Sequence, residues 1–547
     1  MSLGVILPPE RIASMTARGD WADKLVLDYL DAVLAEDPDR LAITDHNSET
    51  GVSSALTYGE LARTARRMAL ALIDIGVAPG DVVSFQLPNW WQFPALHLAC
   101  VYAGAISNPL MPIFRERELR FMVGFARSKV FIAPARFRGF DHQAMMESLR
   151  PDLPDLVHTF YIGADGDSSF EDAFLSDRKP SAHESALTVR RPGPNDVTQI
   201  LYTSGTTGEP KGVMHTANTL FAPLPPYAER LGLGRGDVVF MASPLAHQTG
   251  FMYGILLPIM LGIPTVLQDV WSPEAAALNI QDSGATYTMA STPFLADLTD
   301  LPDLERYDVS RFRVFLSAGA PIPRSLVERA TERLGCHVVS GWGMTEVGCV
   351  TCCGPGDPPE KVFGSDGSAL PGSQVMIVSA DGSRAPHDEE GILKARANGL
   401  FVGYLRRPEA VELDADGWFD TGDYARMDAD GYIRITGRAK DLVIRGGENV
   451  PVVEVEELLY RHSAVRECAV VAMPDPRLGE RACAFVGLHA EATLTFDEMC
   501  THLRDHGIAA QYLPEKLVVR DALPRTASGK IQKFVLREDA KDMTPDR

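Results

Sequence analysis

Ser204-Gly205-Thr206-Thr207-Gly208 puts three hydroxyls and two glycines into five residues, with Thr203 just before them and Lys211 just after. Such a loop offers a polyphosphate hydroxyl donors and bare backbone N–H groups at close range, and Lys211 adds a positive charge. Ile200 to Thr203 reads as a short buried strand feeding the loop, and Glu209-Pro210 stops regular structure from resuming early. The alternative is an ordinary Gly/Ser/Thr surface turn. The feeding strand, the closing lysine and the lack of any charge except Glu209 count against it. The loop is not a Walker A loop, because the lysine does not follow the second glycine directly and no Ser or Thr comes next.

Tyr202-Thr-Ser-Gly-Thr-Thr-Gly-Glu-Pro-Lys-Gly212 resembles the phosphate loop of the adenylate-forming superfamily, which holds acyl-CoA synthetases, peptide-synthetase adenylation domains and firefly luciferase. Further motifs follow in that superfamily's order. Ala318-Gly319-Ala320-Pro321 is a small-residue turn that lets a flat ring lie against the backbone. Gly341-Trp342-Gly343-Met344-Thr345-Glu346 resembles the second core motif, where Trp342 implies a face for adenine, Thr345 a hydroxyl for phosphate and Glu346 a carboxylate for Mg²⁺. Thr203 is placed with Glu346 at the metal. The resemblance implies that Asp423, in Trp418-Phe-Asp-Thr-Gly-Asp423, accepts hydrogen bonds from the ribose hydroxyls, with Ile435 and Arg438 nearby. It makes Lys530, in Leu523-Pro-Arg-Thr-Ala-Ser-Gly-Lys530, the catalytic lysine. His247, Met252 and Gly341 fall at the acyl pocket, Lys440 at a hinge, and Gly446-Gly447 where a pantetheine arm passes the backbone. Each of these residues alone has a plainer reading: a packed histidine, a turn aspartate, a solvated charge. One departure stands out: proline comes a place early in Val450-Pro451-Val452-Val453-Glu454.

The resemblance implies ATP-dependent activation of a carboxylic acid as acyl-AMP with release of pyrophosphate, then transfer of the acyl group to the thiol of CoA. ATP, Mg²⁺ and CoA are the expected cofactors. The overall look is similar to medium-chain or cyclohexanecarboxylate-type acyl-CoA ligases, so a medium-chain, branched or alicyclic acid is expected. An amino-acid-activating domain would need a buried anion for the ammonium, and Leu245-Ala-His-Gln-Thr-Gly250 supplies none. A stand-alone enzyme loading a carrier protein and a non-catalytic nucleotide-binding relative are the alternatives; the second would be expected to lose Glu346 or Lys530 first.

The elements that must position these groups alternate strand and helix along 547 residues, too many for one core. The expected fold class is α/β. A large N-terminal domain (1–437) would hold two layered α/β subdomains, about 1–190 and 191–360, and a small β-barrel over 361–437, where Asp-Gly turns separate short strands. A hinge at 438–440 would lead to a small mobile α+β C-terminal domain, 441–547. The net charge of −21 argues against nucleic acid as a partner. Gly250 to Leu267 is uncharged, but Pro258, Gly262 and Pro264 divide it into a buried helix, a turn and a strand, so no stable membrane insertion is expected. Eight cysteines without a secretory signal read as reduced thiols in the cytoplasm, and Cys349, Cys352 and Cys353 as structural thiols rather than a metal knuckle. A homo-oligomer is compatible with the sequence, which does not fix the number of copies.

Overall fold

The computed structural model describes residues 3–176, 182, 184–203, 209–319, 322–446, 448–526 and 529–546, and the backbone alone of Ser325 and Lys440. Ser204 to Gly208, Ala320, Pro321 and Gly447, all expected at the site, lie outside the described residues.

Among the described residues, two largely parallel sheets carry the first two-thirds of the chain. In the nine-stranded sheet, strands 337–344, 314–318, 287–290, 239–241, 265–268 and 41–47 run parallel in that spatial order, with antiparallel strands added at both edges. Runs such as Val314-Phe-Leu-Ser317 are wholly buried, as a sheet covered on both faces requires. Leu61, Ala65, Met68 and Leu72 line the buried face of the helix Tyr58–Asp74, at the helical spacing the sequence shows. The six-stranded sheet ends in a hairpin of Val197–Thr203 and Lys211–Thr216, whose antiparallel register sets Thr203 opposite Lys211. The uncharged stretch from Gly250 becomes a turn of π-helix (Met252–Leu256), a helix (Leu257–Leu261) and a buried strand (Thr265–Gln268). No described helix is long and apolar enough to cross a membrane.

The β-barrel expected over 361–437 does not close. Strands Ser373–Val378, Gly391–Ala397, Phe419–Met427 and Ile433–Arg438 form an open antiparallel meander in sequence order. Its apolar side is covered by Val213, Trp342, Val347 and Val350 from the large sheets, so the sheet has no need to curl onto itself.

The C-terminal part is α+β. A central hairpin, Val465–Asp475 with Gly479–Leu488, is extended by the parallel strand Lys516–Arg520. Val455, Leu459, Met499 and Leu503 pack in one of its cores, and Met473, Phe485 and Leu536 in another. The early proline is accommodated simply: Pro451 is the N-cap of the helix Val452–Tyr460.

Candidate active site

Parallel strands of an open α/β sheet deliver ligands to the loops beyond their carboxyl ends. Here the strand Val314–Ala318 ends beside Gly341 of its parallel neighbour His337–Met344, which runs on to Met344. Gly319 follows at φ +90°, a conformation that favours glycine. A Cβ at Gly319 would lie 2.7 Å from Cε and 3.0 Å from Nζ of Lys530, so the lysine passes directly over the turn. Lys530 is held by a tight hairpin: Thr526 N–H donates to Lys530 O at 2.7 Å, and Lys530 N–H donates to Thr526 Oγ1 at 3.1 Å. Over two hundred residues of sequence separate the two groups that the fold brings into contact here.

The second motif is clamped by its surroundings. Gly343 must be glycine because a Cβ there would meet the Gly348 carbonyl oxygen at 2.1 Å. His215 Nε2 donates to Thr345 O at 2.7 Å, and burial lowers the pKa of that imidazole to about 4, keeping it neutral. Glu346 is 6% exposed. Tyr404 donates its hydroxyl to Glu346 Oε1 at 2.8 Å. Burial raises the pKa of Glu346, against the lowering effects of Tyr404, of its own amide, and of Arg438 and Lys211. A buried carboxylate so incompletely compensated fits a hard divalent cation. The described residues contain no cluster of three His, Cys, Asp or Glu, so a cation here would draw most of its shell from phosphate and water, which is how Mg²⁺ is usually held.

Trp342 departs from the expected open stacking face. Its ring is 7% exposed, lies in the apolar cluster that joins the meander to the large sheet, and donates its indole N–H to Asp423 Oδ2 at 2.9 Å. Arg438 Nε donates to Asp423 Oδ1 at 2.8 Å. Asp423 is thus held from both sides, and each of its oxygens keeps a lone pair for a hydroxyl. Ile435 is fixed by its N–H, which donates to Asp366 Oδ2 at 2.8 Å. Met344 and Thr345 are half-buried beside them.

Of the residues expected at an acyl pocket, Gly341 and Met252 both lie against the strand Gly348–Cys352, Gly341 paired with Cys352 and Met252 at Gly348. His247 caps the helix Gln248–Phe251 through Nδ1 and the Thr249 N–H at 3.3 Å. Burial first, and the Lys530 charge second, lower its pKa to about 3, so the ring is neutral. A Cβ on Gly341 would touch Cys349 Sγ at 3.4 Å and Leu316 Cδ2 at 3.5 Å, and Met252 lies against Gly348. Tyr253 accepts the Cys349 N–H at 3.0 Å, which anchors this apolar wall. Lys440 sits in the short turn Ala439–Asp441, and Gly446, at φ +60°, donates its N–H to Leu478 O at 2.8 Å.

Two neighbours of the site were not legible as such in the sequence. Tyr404 lies in the apolar run Leu400-Phe-Val-Gly-Tyr-Leu405, which reads as core, and Asp366 lies in a Ser/Gly/Asp loop that reads as a turn.

The family model described as AMP-binding enzyme matches residues 30–405, and that described as AMP-binding enzyme C-terminal domain matches residues 454–530. The medium-chain fatty-acid–CoA ligase of Escherichia coli K12 is 35% identical over 542 residues, which is 98% of this chain and 94% of that protein. The salicyl-AMP ligase / salicyl-S-ArCP synthetase of Mycobacterium tuberculosis is 32% identical over 97% of this chain and 93% of its own length. Among solved structures, the anthranilate CoA ligase AuaEII in complex with anthranoyl-AMP superposes with a TM-score of 0.85 at 27% identity, covering 95% of this chain and 98% of that one.

Proposed function

The chain belongs to the AMP-binding enzyme family of adenylate-forming acid–thiol ligases, and from that premise we propose that it converts a medium-chain, branched or alicyclic carboxylic acid to its CoA thioester through acyl-AMP. The observation that carries this reading is the contact of Lys530 with the Gly319 turn, one strand away from the motif that ends in Glu346.

A carboxylate is a poor acyl donor because oxide is a poor leaving group. Attack of its oxygen on the α-phosphorus of ATP, with expulsion of pyrophosphate, exchanges that leaving group for AMP. The obstacle is charge, since an anion must approach a polyanion. Lys530 and Lys211 offset that charge where it develops, and the loop that follows Thr203 is suited to cradle the phosphates. Mg²⁺ bound by Glu346, with Thr203 as a second oxygen donor, would add a divalent positive charge at the phosphates. Asp423 receives the ribose hydroxyls, oriented by Trp342 and Arg438. The named pocket residues carry no charge beside Gly341, which suits an apolar acyl group and gives no partner to an ammonium.

In the second step a thiol attacks the acyl carbonyl and AMP departs. Lys530, placed for the first step, would stand in the way of the thiol. A swing of the C-terminal part about Lys440 would withdraw it and bring the hairpin at Gly446-Gly447 inward. The retention of both Glu346 and Lys530 argues against a relative that has lost its chemistry.

The test is ATP with a panel of carboxylic acids, first without and then with acceptor. Acid-dependent pyrophosphate release, followed by thioester formation with free CoA, is the expected result. Thioester formation only with a phosphopantetheinyl carrier protein would favour the carrier-loading alternative, and no acid-dependent pyrophosphate would sink the reading.

A further inference from the structure

The segment 401–405 is stitched to two parts of the nucleotide site at once. Phe401 N–H donates to the backbone carbonyl of Glu346 at 2.7 Å. Val402 and Leu405 donate to the Met214 and Gly212 carbonyls at 3.0 and 2.7 Å, and Met214 returns a bond to Gly403 O at 3.0 Å, so the same few residues pair with the strand leaving the phosphate loop. Gly403, at φ +121°, allows the chain to bend here, where a Cβ would meet the Gly4 carbonyl oxygen at 3.0 Å.

Tyr404 projects from the middle of this segment and is 4% exposed. Its hydroxyl donates to Glu346 Oε1 at 2.8 Å. The Lys211 ammonium lies over its ring, 4.6 Å from the centroid. Phe401 packs edge-on against it with ring centroids 4.7 Å apart, which fixes the plane of the ring. One side chain therefore touches both the carboxylate of the second motif and the lysine that closes the phosphate loop.

We propose that Tyr404 is a positioning residue for the nucleotide–metal site: its hydroxyl locks the Glu346 carboxylate in one rotamer with Oε2 left for a divalent cation, and its ring holds the Lys211 ammonium on the phosphate side. This rests on the reading of Glu346 as the metal carboxylate. The donor has to be neutral. A lysine or arginine at this distance would orient Glu346 equally well but would neutralise it and compete with the cation, whereas a phenol fixes the carboxylate and leaves its charge available. The ring face attracts an ammonium without forming an ion pair that would have to be broken when phosphate arrives.

The test uses Mn²⁺ as the probe cation, followed by electron paramagnetic resonance on the full-length enzyme with the non-cleavable α,β-methylene analogue of ATP. Tyr404→Phe keeps the ring and removes the hydroxyl. It should raise the Mn²⁺ dissociation constant about tenfold, the usual result of removing a group that orients a metal ligand. Binding of the analogue in EDTA should be unchanged. Glu346→Gln should lose the nucleotide-dependent Mn²⁺ signal while keeping the thermal midpoint, and adding Tyr404→Phe to it should change nothing further. Equal Mn²⁺ affinity in Tyr404→Phe and the unsubstituted enzyme would overturn the proposal, as would an equal loss of analogue binding with and without metal, which would make the tyrosine a packing residue. If the unsubstituted enzyme binds no Mn²⁺ in the presence of the analogue, the reading of Glu346 falls and this proposal with it.

Discussion

Lys530 is useful in one half of the reaction and an obstacle in the other, and that asymmetry can be measured. Lys530→Ala should lower acyl-adenylate formation roughly 100-fold, by analogy with loss of one preorganised transition-state donor. It should leave thioester formation from pre-made acyl-AMP intact, and single-turnover assays of each half-reaction check both. His97, His142, His215 and His247 make the stability of the fold depend on pH. Burial lowers the pKa of His97 and His247 to about 3 and of His142 and His215 to about 4. The unfolded chain therefore takes up protons below about pH 6.5 that the folded chain does not. The folded state keeps its full stability above that value and loses it as the pH falls toward 4, by about 1 kcal/mol per pH unit for each such histidine. The thermal midpoint should fall steeply between pH 7 and pH 5, and His97→Gln should make that fall shallower. Lys530, Glu346 and Asp423 stand out in the sequence only as members of motifs that follow one another in a known order, since each alone reads as a turn residue or a solvated charge. Tyr404 does not, because an aromatic among Leu400, Phe401 and Val402 has an obvious structural reason to be there; only its neighbours in space give it another task.

The helix Val452–Tyr460 docks on the meander strand Ile433–Arg438. Glu457 reaches Arg434 at 3.1 Å and Arg324 at 3.9 Å, and Arg537 of the last helix pairs with Asp441 at 2.6 Å. The Glu457 contacts tie the helix to the large part of the chain while Lys530 is over Gly319, so Glu457→Ala should weaken that orientation specifically. For a half-buried ion pair a loss of about 1 kcal/mol is expected, and adenylate formation should drop roughly fivefold. Thioester formation should be unaffected or faster, and stopped-flow measurement of the two half-reactions would separate these outcomes. The strands of the meander were legible from their Asp-Gly turns, but whether the sheet closes was not. Closure depends on pairing between its first and last strands and on what covers its apolar side, and Val213 comes from far away in the sequence to do that. The α+β character of the C-terminal part was legible, whereas the pairing of Glu457 with Arg434 was not, since an ion pair across such a separation leaves no local pattern.

The molecule as a whole brings a lysine near its C-terminus to a turn between two strands of the large sheet, and it does so in a chain of net charge −21. The sequence placed the motifs in order but could not show that contact, because it depends on how the C-terminal part docks. Its purpose in this account is to let a carboxylate oxygen attack the α-phosphorus of ATP. A carboxylic acid accepted by the enzyme, labelled with ¹⁸O in both carboxyl oxygens, follows that bond directly by mass spectrometry of the products after one turnover with CoA. One ¹⁸O in the phosphate of AMP, with unlabelled pyrophosphate, is the predicted result. Label in inorganic phosphate together with ADP, or AMP free of ¹⁸O beside a labelled thioester, would contradict it.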